Sequence, residues 1–314
     1  MRSVFVQIIL SAAAVLHTAL AFAGDLYKWQ DEDGIWHFSD RPPKTEQAFE
    51  TVALPADPRP MVSMRKTGTK HEPSYWFFNR YEGPAELEVR LKLAENVRSD
   101  PALPTRVVLP ANAERRVLTL RADNPRMGFK YQLAYTLIPG PPVQRLPEDK
   151  DFYPPFPAGR DFPISQGFDG DSTHNDAANR YAVDIVMPVG TPVLAARGGI
   201  VMDLEEDFHG GKQKQRYLER ANRIRILHAD GSMAVYAHLQ PNSVMVYPGA
   251  KVPAGAWLAN SGNTGFSSGP HLHFVVQLNI GLALESLPFR FRLPSGGTMT
   301  PGGIGMISGV LSNP

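Results

Sequence analysis

The sequence predicts a mainly β protein made of several modules. Short segments in which apolar and polar residues alternate are separated by turns rich in Gly, Pro and Asn, which is typical of antiparallel sheets. Helical periodicity is weak, and residues 217–221 are the only stretch that we consider for a helix. With 314 residues and 43% hydrophobic content, the chain can fill two or three cores. We expect a small β-hairpin module, then a β-sandwich-like domain, and finally a compact antiparallel β-sheet domain of barrel or sandwich form.

The N-terminus has the features of an export signal. Arg2 precedes an apolar run over residues 4–16, and Ala21-Phe22-Ala23 provides the small residues that signal peptidase prefers. We therefore predict a signal peptide at residues 1–23 and a mature protein in the periplasm or outside the cell. An uncleaved anchor is the alternative, although polar residues interrupt a segment that is short for a membrane span. No later segment could cross a bilayer, and the absence of cysteine excludes a lipoprotein anchor and disulfides.

Residues 24–43 predict the β-hairpin module. Asp33-Gly34 is a favoured turn pair between two arms with alternating aromatic residues, and we place His37 on a face of that hairpin. The pattern Tyr-Lys-Trp, Asp-x-x-Gly and Phe-Ser-Asp resembles a short module of uncharacterised function that occurs at the N-terminus of exported bacterial envelope proteins. Residues 44–73 carry scattered prolines and no sustained periodicity, which predicts a linker.

Residues 74–138 predict the β-sandwich-like domain, and the Pro-rich residues 139–160 predict a junction. Glu86 and Glu88 alternate with apolar residues, so we place their charges on a solvated strand face. We see no catalytic chemistry in this domain, and the net charge of +1 gives no reason to expect a nucleic-acid partner. The strand-like runs of the domain are residues 74–81, 85–93, 105–109, 115–120 and 129–137.

Residues 161–290 predict the third domain and contain several polar residues in apolar surroundings. His271 and His273 are two positions apart in a strand, so their side chains share a face. Asp184 lies within an apolar strand, where a carboxylate needs a cation or donors, and His238 ends another apolar strand. A salt bridge or a satisfied half-buried position could explain each residue alone. Together they indicate a metal or catalytic site.

Four sequence blocks of this domain follow one another in a specific order. They are His174 with Tyr181-Ala182-Val183-Asp184; Gly190-Thr191-Pro192-Val193 with Gly199-Ile200-Val201; Tyr236-Ala237-His238-Leu239; and Gly262-Asn263-Thr264-Gly265 with Gly269-Pro270-His271-Leu272-His273-Phe274. In this order they resemble the lysostaphin/LytM-type zinc endopeptidases of peptidase family M23, over roughly residues 160–285. The resemblance implies a LytM-like β-sheet peptidase domain that cleaves peptides of bacterial peptidoglycan.

The resemblance also implies a role for each site residue. It assigns His174, Asp184 and His273 as ligands of one zinc ion, and it places His238 and His271 beside the metal-bound water. Strand spacing alone leaves open whether His271 and His273 both bind the metal. The commonest family pattern has the aspartate four positions after the first histidine, whereas His174 and Asp184 are ten positions apart. A longer loop can close that distance, and the alternative oxygen ligand in that loop is Asn179.

The function that follows is an exported zinc metalloendopeptidase acting on peptidoglycan stem or cross-bridge peptides. Two alternatives stay open: a non-catalytic LytM-like module that binds the cell wall and activates an amidase, and a metallopeptidase with a non-wall substrate. The expected partners are therefore peptidoglycan peptides and, in the first alternative, a wall amidase or another envelope protein. Nucleic acid and a membrane span after signal cleavage are not expected.

Four further expectations concern segments around the site. We predict that residues 203–223 form a mobile flap over the groove and that residues 291–314 form a flexible C-terminal tail. His209 and His228 are predicted to be surface residues. We also hypothesise that the N-terminal modules cover the groove and inhibit the peptidase, because a Pro-rich junction separates them from it.

Overall fold

The structure is a computed structural model that describes residues 25–30, 36–39, 50–53 and 60–311. The chain forms two compact units, Met1–Asp57 and Pro58–Pro314. The prediction of a mainly β protein is confirmed, because the described residues form 24 strands and one short 3-10 helix, Gln215–Tyr217. The predicted signal peptide lies outside the described residues, and within them no helix is long and apolar enough to span a membrane.

The first unit is a small antiparallel sheet, with the strand order β2-β1-β3. Gln30 of β1 pairs with Trp36 of β2, so the predicted hairpin is confirmed, although its Asp33-Gly34 turn lies outside the described residues. Strand β3 pairs with the other edge of β1, and it lies in the segment for which the composition predicts a linker. The strands are β1 (Asp25–Gln30), β2 (Trp36–Ser39) and β3 (Glu50–Ala53).

The second unit begins with a β-sandwich. One sheet has the order β4-β5-β9-β7 and the other has the order β10-β6-β8. Phe77, Leu87 and Leu120 are fully buried between them, because alternate residues of each strand face the partner sheet. The predicted sandwich is therefore confirmed. Its strands are β4 (Val62–Gly68), β5 (Pro73–Asn79), β6 (Ala85–Glu95), β7 (Val97–Asp100), β8 (Thr105–Leu109), β9 (Ala113–Ala122) and β10 (Lys130–Pro139).

Strand β4 falls within the segment that we predict as a linker. It is the edge strand of its sheet and pairs only with β5 among the described strands. Ser63, Arg65 and Lys66 occupy positions along it that are not buried, so the strand has little of the apolar alternation that identifies β5. Polar edge strands of this kind are not recognised by periodicity, because their hydrogen bonds rather than their side chains join them to the sheet.

The remainder of the second unit is built on a nine-stranded antiparallel sheet. Its order is β18-β15-β16-β17-β20-β13-β12-β24, and β21 also pairs with β20. A two-stranded sheet (β14-β19) and a three-stranded sheet (β11-β22-β23) accompany it. The strands are β11 (Asp151–Phe152), β12 (Asp161–Gln166), β13 (Val183–Ile185), β14 (Pro192–Leu194), β15 (Gly199–Glu205), β16 (Arg223–Leu227), β17 (Met233–Ala237), β18 (Lys251–Val252), β19 (Trp257–Asn260), β20 (Leu272–Asn279), β21 (Leu284–Ser286), β22 (Arg290–Arg292), β23 (Thr298–Met299) and β24 (Gly305–Ser308).

One face of this sheet forms the main core. Phe274 in the central strand β20 is fully buried and contacts Phe152, Phe289 and Phe291 at ring centroid distances of 6.2, 5.1 and 5.7 Å. Tyr236 of the neighbouring strand packs against Phe274 and accepts a hydrogen bond from the Ala196 backbone N–H through its hydroxyl at 2.8 Å. Because side chains alternate along a strand, the residues between these core positions face the opposite side of the sheet.

The predicted flexible tail at residues 291–314 is wrong over its described part. Phe291 is fully buried in the aromatic core, and β24 pairs with β12 along Asp161–Ile164 so that Ile307 is also buried. The surrounding Gly and Pro residues suggested a tail. The partner of β24 is about 140 positions earlier in the sequence, and such long-range pairing leaves no local signal. Residues 151–156 of the predicted junction likewise contribute Phe152 and Phe156 to the core.

The sandwich packs directly on the nine-stranded sheet. Tyr81 and Ala85 of the sandwich form one buried cluster with Met202 and Met233 of the sheet. The Leu282 backbone N–H donates a hydrogen bond to Glu86 Oε2 at 2.7 Å, and Glu86 is buried. The predicted solvated position of Glu86 is therefore wrong. Near the start of β6, the side of the strand that carries Glu86 is covered by the turn between β20 and β21. Glu88, farther along β6, is partly exposed and pairs with Arg106.

His228 is buried, and the prediction that it lies on the surface is wrong. It follows β16, and its ring packs edge-on against Phe152 at 5.5 Å. Its Nδ1–H donates to the Gly198 carbonyl at 2.9 Å, whereas Nε2 is buried without a hydrogen-bond partner. Burial, opposed by that hydrogen bond, lowers the pKa of His228 to about 4. His209 is exposed, as predicted.

The buried His228 is expected to make the protein less stable as the pH falls from about 6.5 to 4. In this range the unfolded histidine binds a proton that the folded one does not, so the free energy of unfolding decreases with falling pH, by about 2–3 kcal/mol in total. Urea unfolding of wild type and His228→Asn at several pH values measures this effect, since asparagine does not titrate. An equal decrease in the two proteins would contradict the expectation.

Candidate metal centre

Three neighbouring strands bring the predicted site residues together. Asp184 is the central residue of β13 and pairs with His273 of β20. On the other side of β20, His273 pairs with Ala237, the last residue of β17, so that His238 begins the following loop beside it. His271 directly precedes β20. Strand register therefore places residues that are distant in sequence at one end of the sheet, on the face opposite the aromatic core.

His174 reaches this end of the sheet from the loop between β12 and β13. It is 1% exposed, and its Nδ1–H donates to the Gly167 carbonyl at 2.9 Å. That hydrogen bond directs Nε2 towards Asp184 Oδ1, which is 3.3 Å away. Asn179, the alternative to His174 as a ligand from this loop, instead donates its side-chain amide to both carboxylate oxygens of Asp176. The ten-residue spacing is thus accommodated by a loop that folds back over the strand.

His174, Asp184 and His273 form a compact group of possible ligands. Their nearest ligand atoms all lie within 4.8 Å of one another. His273 Nδ1 is 2.9 Å from Asp184 Oδ1, and His174 Nε2 is buried without a hydrogen-bond partner. Two imidazoles and one carboxylate are a common ligand set for a catalytic zinc ion, which keeps a further position for water. The residues that are present therefore fit a bound metal ion.

The electrostatics of Asp184 favour this interpretation. Burial raises the pKa of Asp184, but the contacts with His174 and His273 outweigh it and hold that pKa well below its usual range. Burial lowers the pKa of His174, but the contact with Asp184, the hydrogen bond to Gly167 and the charge of Asp176 together raise it above its ordinary value. Asp184 is therefore ionised over the whole physiological pH range, as a metal ligand must be.

His238 and His271 lie beside this group and are oriented in the same way. The Nδ1–H of His238 donates to the Thr264 carbonyl at 2.6 Å, and that of His271 donates to the Gly269 carbonyl at 2.8 Å. These bonds leave the Nε2 atom of each ring as the acceptor. The two rings are in contact, with centroids 4.5 Å apart, and His271 Nε2 is 3.8 Å from Asp184 Oδ1.

The environment of His238 keeps it neutral. Burial, together with the neighbouring His271 and His273, lowers the pKa of His238 to about 3. A neutral imidazole with a free Nε2 can accept a proton from water.

Sequence reasoning missed the residues that hold His238 in place. His238 has a φ of 63°, which is unusual for a residue with a side chain. The fully buried Asn222 donates to the carbonyls of Phe208 and Leu239, and its backbone N–H donates to Thr264 Oγ1. Thr264 Oγ1 in turn donates to the Leu239 carbonyl. Only the Gly262-Asn263-Thr264-Gly265 block gave a signal for this network, and Asn222 gave none.

A groove crosses the face of the sheet that carries these residues. Among the described residues, those that line it all lie between residues 165 and 277, so no residue of the sandwich is part of its lining. The segment that we predict as a flap contributes Gln213, Leu218 and Glu219 to one rim. The floor of the groove is formed by His273, Val275 and Gln277 of β20, Val235 and Ala237 of β17, and Arg223 and Arg225 of β16.

A β-sheet that gathers two imidazoles and a carboxylate, with two more imidazoles beside them, has the make-up of a metal-dependent hydrolase. Residues 178–282 match the family model of peptidase family M23, and residues 13–63 match a domain of unknown function, DUF4124. This part of the chain is therefore similar to the peptidases of family M23. The matched region begins four residues after His174.

Curated relatives match part of the chain. Lysostaphin from Staphylococcus simulans is 34% identical over 128 residues, which are 38% of this chain and 24% of the relative. The peptidoglycan DD-endopeptidase ShyA from Vibrio cholerae is 32% identical over 122 residues, which are 38% of this chain and 26% of the relative. The chain thus spans about a quarter of the length of these relatives.

Solved structures also match part of the chain. The catalytic domain of lysostaphin from Staphylococcus simulans is 29% identical and matches 41% of this chain and 77% of that domain, with a TM-score of 0.25. An M23 peptidase structure from Pseudomonas aeruginosa is 19% identical and covers 70% of this chain and 89% of that one, with a TM-score of 0.32.

Proposed function

We propose that the protein is an exported zinc endopeptidase that hydrolyses stem or cross-bridge peptides of peptidoglycan. The observation that carries this proposal is the convergence of His174, Asp184 and His273 next to an open groove, which Asp184 and His273 line together with His238 and His271. The substrate class is supported by the relatives, because ShyA is named a peptidoglycan DD-endopeptidase. The predicted signal peptide supports export.

The residues that would hold the zinc ion are His174, Asp184 and His273. When bound, zinc polarises a carbonyl and makes hydroxide available near neutral pH. His174 is fixed for this role by the Gly167 carbonyl, since a ligand imidazole is oriented by the partner of its other nitrogen. Asp184 supplies the negative charge that partly neutralises the ion.

His238 and His271 would handle the proton and the charge of the transition state. A neutral ring with a free Nε2 takes the proton from the attacking water, and an adjacent donor stabilises the oxyanion that develops on the carbonyl oxygen. Contact between the two rings keeps both functions within reach of one substrate carbonyl. The open groove on either side allows an extended peptide to lie across the site.

The other two candidate functions receive less support. A scaffold that only activates an amidase does not need the metal ligands or the paired imidazoles, and all five residues are present in this chain. A non-wall substrate would use the same chemistry.

Incubation of the full mature protein with zinc and cross-linked muropeptides is expected to release products with new amino termini. Mass spectrometry identifies the bond, and treatment with a chelator is expected to stop the release. The His209→Ala variant is the matched control, because it removes an exposed histidine that does not line the groove. Its rate should equal that of wild type. If wild-type protein with zinc leaves the muropeptides intact but stimulates a wall amidase, the scaffold function replaces the proposal.

A further inference from the structure

Two arginines lie in the floor of the groove and have no part in the metal chemistry. Arg223 pairs with Ala237 across β16 and β17, and Ala237 pairs with His273 across β17 and β20. Arg225 occupies the next row on the same face, opposite Val235. Since neighbouring strands are about 4.8 Å apart, Arg223 is about 10 Å from His273 along the floor. The intervening Ala237 is small and leaves the space between them open.

The acidic partner of these arginines, Asp203, lies beside them on the neighbouring strand β15, where it pairs with Arg225. Asp203 is 4% exposed and is not among the residues that line the groove, whereas both arginines are. Arg225 Nε is 3.1 Å from Asp203 Oδ1, and Arg223 Nη2 is 3.4 Å from Asp203 Oδ2. Both guanidinium groups therefore line the groove, and the carboxylate that they share holds them from the neighbouring strand.

The arginines have more donors than partners. Nε of Arg223 is buried without a hydrogen-bond partner, whereas Nε of Arg225, a residue that is about nine-tenths buried, lies against Asp203. Arg225 also donates through Nη1 to the Met233 sulfur at 4.0 Å. Each guanidinium has five N–H donors. The two carboxylate oxygens of Asp203 do not accept from all of these donors, so some remain for an acceptor in the groove.

Two other acidic residues lie near the cluster. Glu205 is opposite Arg223 in the pairing of β15 with β16, but it does not line the groove. Glu219 does line the groove, from the exposed rim. The surface that a bound peptide meets at this end of the floor is therefore cationic.

We propose that Arg223 and Arg225 form a subsite that binds a carboxylate of the substrate. The inference rests on the proposed function and extends it, because it defines the substrate as an acidic peptide. An extended peptide rises about 3.3 Å per residue, so the carboxylate would belong to a residue about three positions from the bond that is cleaved. Arg223 and Arg225 would thus determine specificity and the position of the peptide across the metal centre.

Peptides that differ only in this charge test the subsite. Cross-linked muropeptides with free carboxylates are compared with the same muropeptides after conversion of their carboxylates to carboxamides. We expect wild-type protein to bind and cleave the acid form about ten- to hundredfold better, as is typical for a charge-assisted hydrogen bond. Calorimetric binding is measured alongside kcat/KM, so that the subsite is tested even if no bond is cleaved.

Variants of Arg223, the less buried of the two arginines, test whether this residue causes the preference for the acid form. Arg223→Gln is expected to reduce binding and cleavage of the acid form to the level of the amide form, with little change for the amide form. Arg223→Lys should restore part of the preference. Arg106→Gln is the matched control, because it removes an exposed arginine of the sandwich that is far from the groove in the fold. Its acid-to-amide ratio should equal that of wild type.

The outcomes separate the subsite from the proposed function. Equal affinity of wild-type protein for acid and amide forms overturns the subsite, and this result needs no variant to fold. A preserved preference in a folded Arg223→Gln protein overturns it as well. Preferential binding of the acid form without cleavage retains the subsite and overturns the endopeptidase function.

Discussion

Replacing Asp184 with alanine is expected to abolish stable binding of one zinc ion per chain. Asp184 is the only carboxylate in the described ligand group, and it contacts both His174 and His273. Loss of a residue that only hydrogen-bonds to a metal ligand typically lowers metal affinity by about 10–100-fold. Loss of the Asp184 carboxylate, which would bind the metal directly, should therefore lower the affinity by more than about 100-fold. Elemental analysis of purified protein and a competitive zinc titration measure the change.

Two control variants, Asp230→Ala and Asn179→Ala, show whether the loss of zinc is specific to the ligand residues. Asp230 is a carboxylate that pairs with Arg197 at 2.8 Å and lies outside the ligand group. Asp230→Ala should therefore retain the zinc even if it lowers stability. The loop that carries His174 is tested in parallel: His174→Ala should lose zinc, whereas Asn179→Ala should retain it. Zinc retention by Asp184→Ala, or by His174→Ala, would show that the metal is bound elsewhere.

Replacing either His238 or His271 with alanine is expected to leave the zinc in place and to reduce kcat by about 10²–10⁴, the usual contribution of general acid–base catalysis. Both rings are oriented by backbone carbonyls rather than by the ligand group, so their removal should not disturb the metal. Steady-state kinetics on a muropeptide substrate, combined with zinc analysis of the same samples, measure the two effects separately.

A histidine outside the site provides the control for this pair. His209→Ala removes an exposed imidazole and should change neither zinc content nor kcat. His238→Gln tests the chemistry further, because glutamine can hydrogen-bond at the site but cannot accept a proton at neutral pH. If His238→Gln keeps full activity, proton transfer is not the role of His238. If zinc is lost from His238→Ala or His271→Ala, the division between ligands and catalytic residues is incorrect.

The strands of the sandwich could be predicted from the sequence because their signal is local. The run predicted at residues 105–109 coincides with β8, and the other four runs of that domain overlap β5, β6, β9 and β10. Strands with polar side chains or distant partners could not be recognised in this way. Strand β4 lacks apolar alternation, and β24 pairs with residues at the start of the domain. Both are held by hydrogen bonds whose partners local periodicity does not reveal.

The candidate site was accessible from the sequence because its residues interrupt apolar strands. Asp184 and His273 are conspicuous there, and the geometry brings them together by direct strand pairing. His228 also ends an apolar strand, yet it is a buried residue with a packing role, so the same local pattern has two meanings. Arg223 is the last residue of the segment that we predict as a flap, and the sequence pattern did not single out Arg225. Only the strand register shows that they share a face with His273.

The buried cluster of Tyr81, Ala85, Met202 and Met233 has a consequence for how the chain can be divided. The sandwich covers two methionines of the nine-stranded sheet, and both are fully buried. Cutting the chain at the junction would expose this apolar surface to water, at a cost of about 1.5–3 kcal/mol for each large side chain. The nine-stranded sheet therefore depends on the sandwich to keep these side chains out of water.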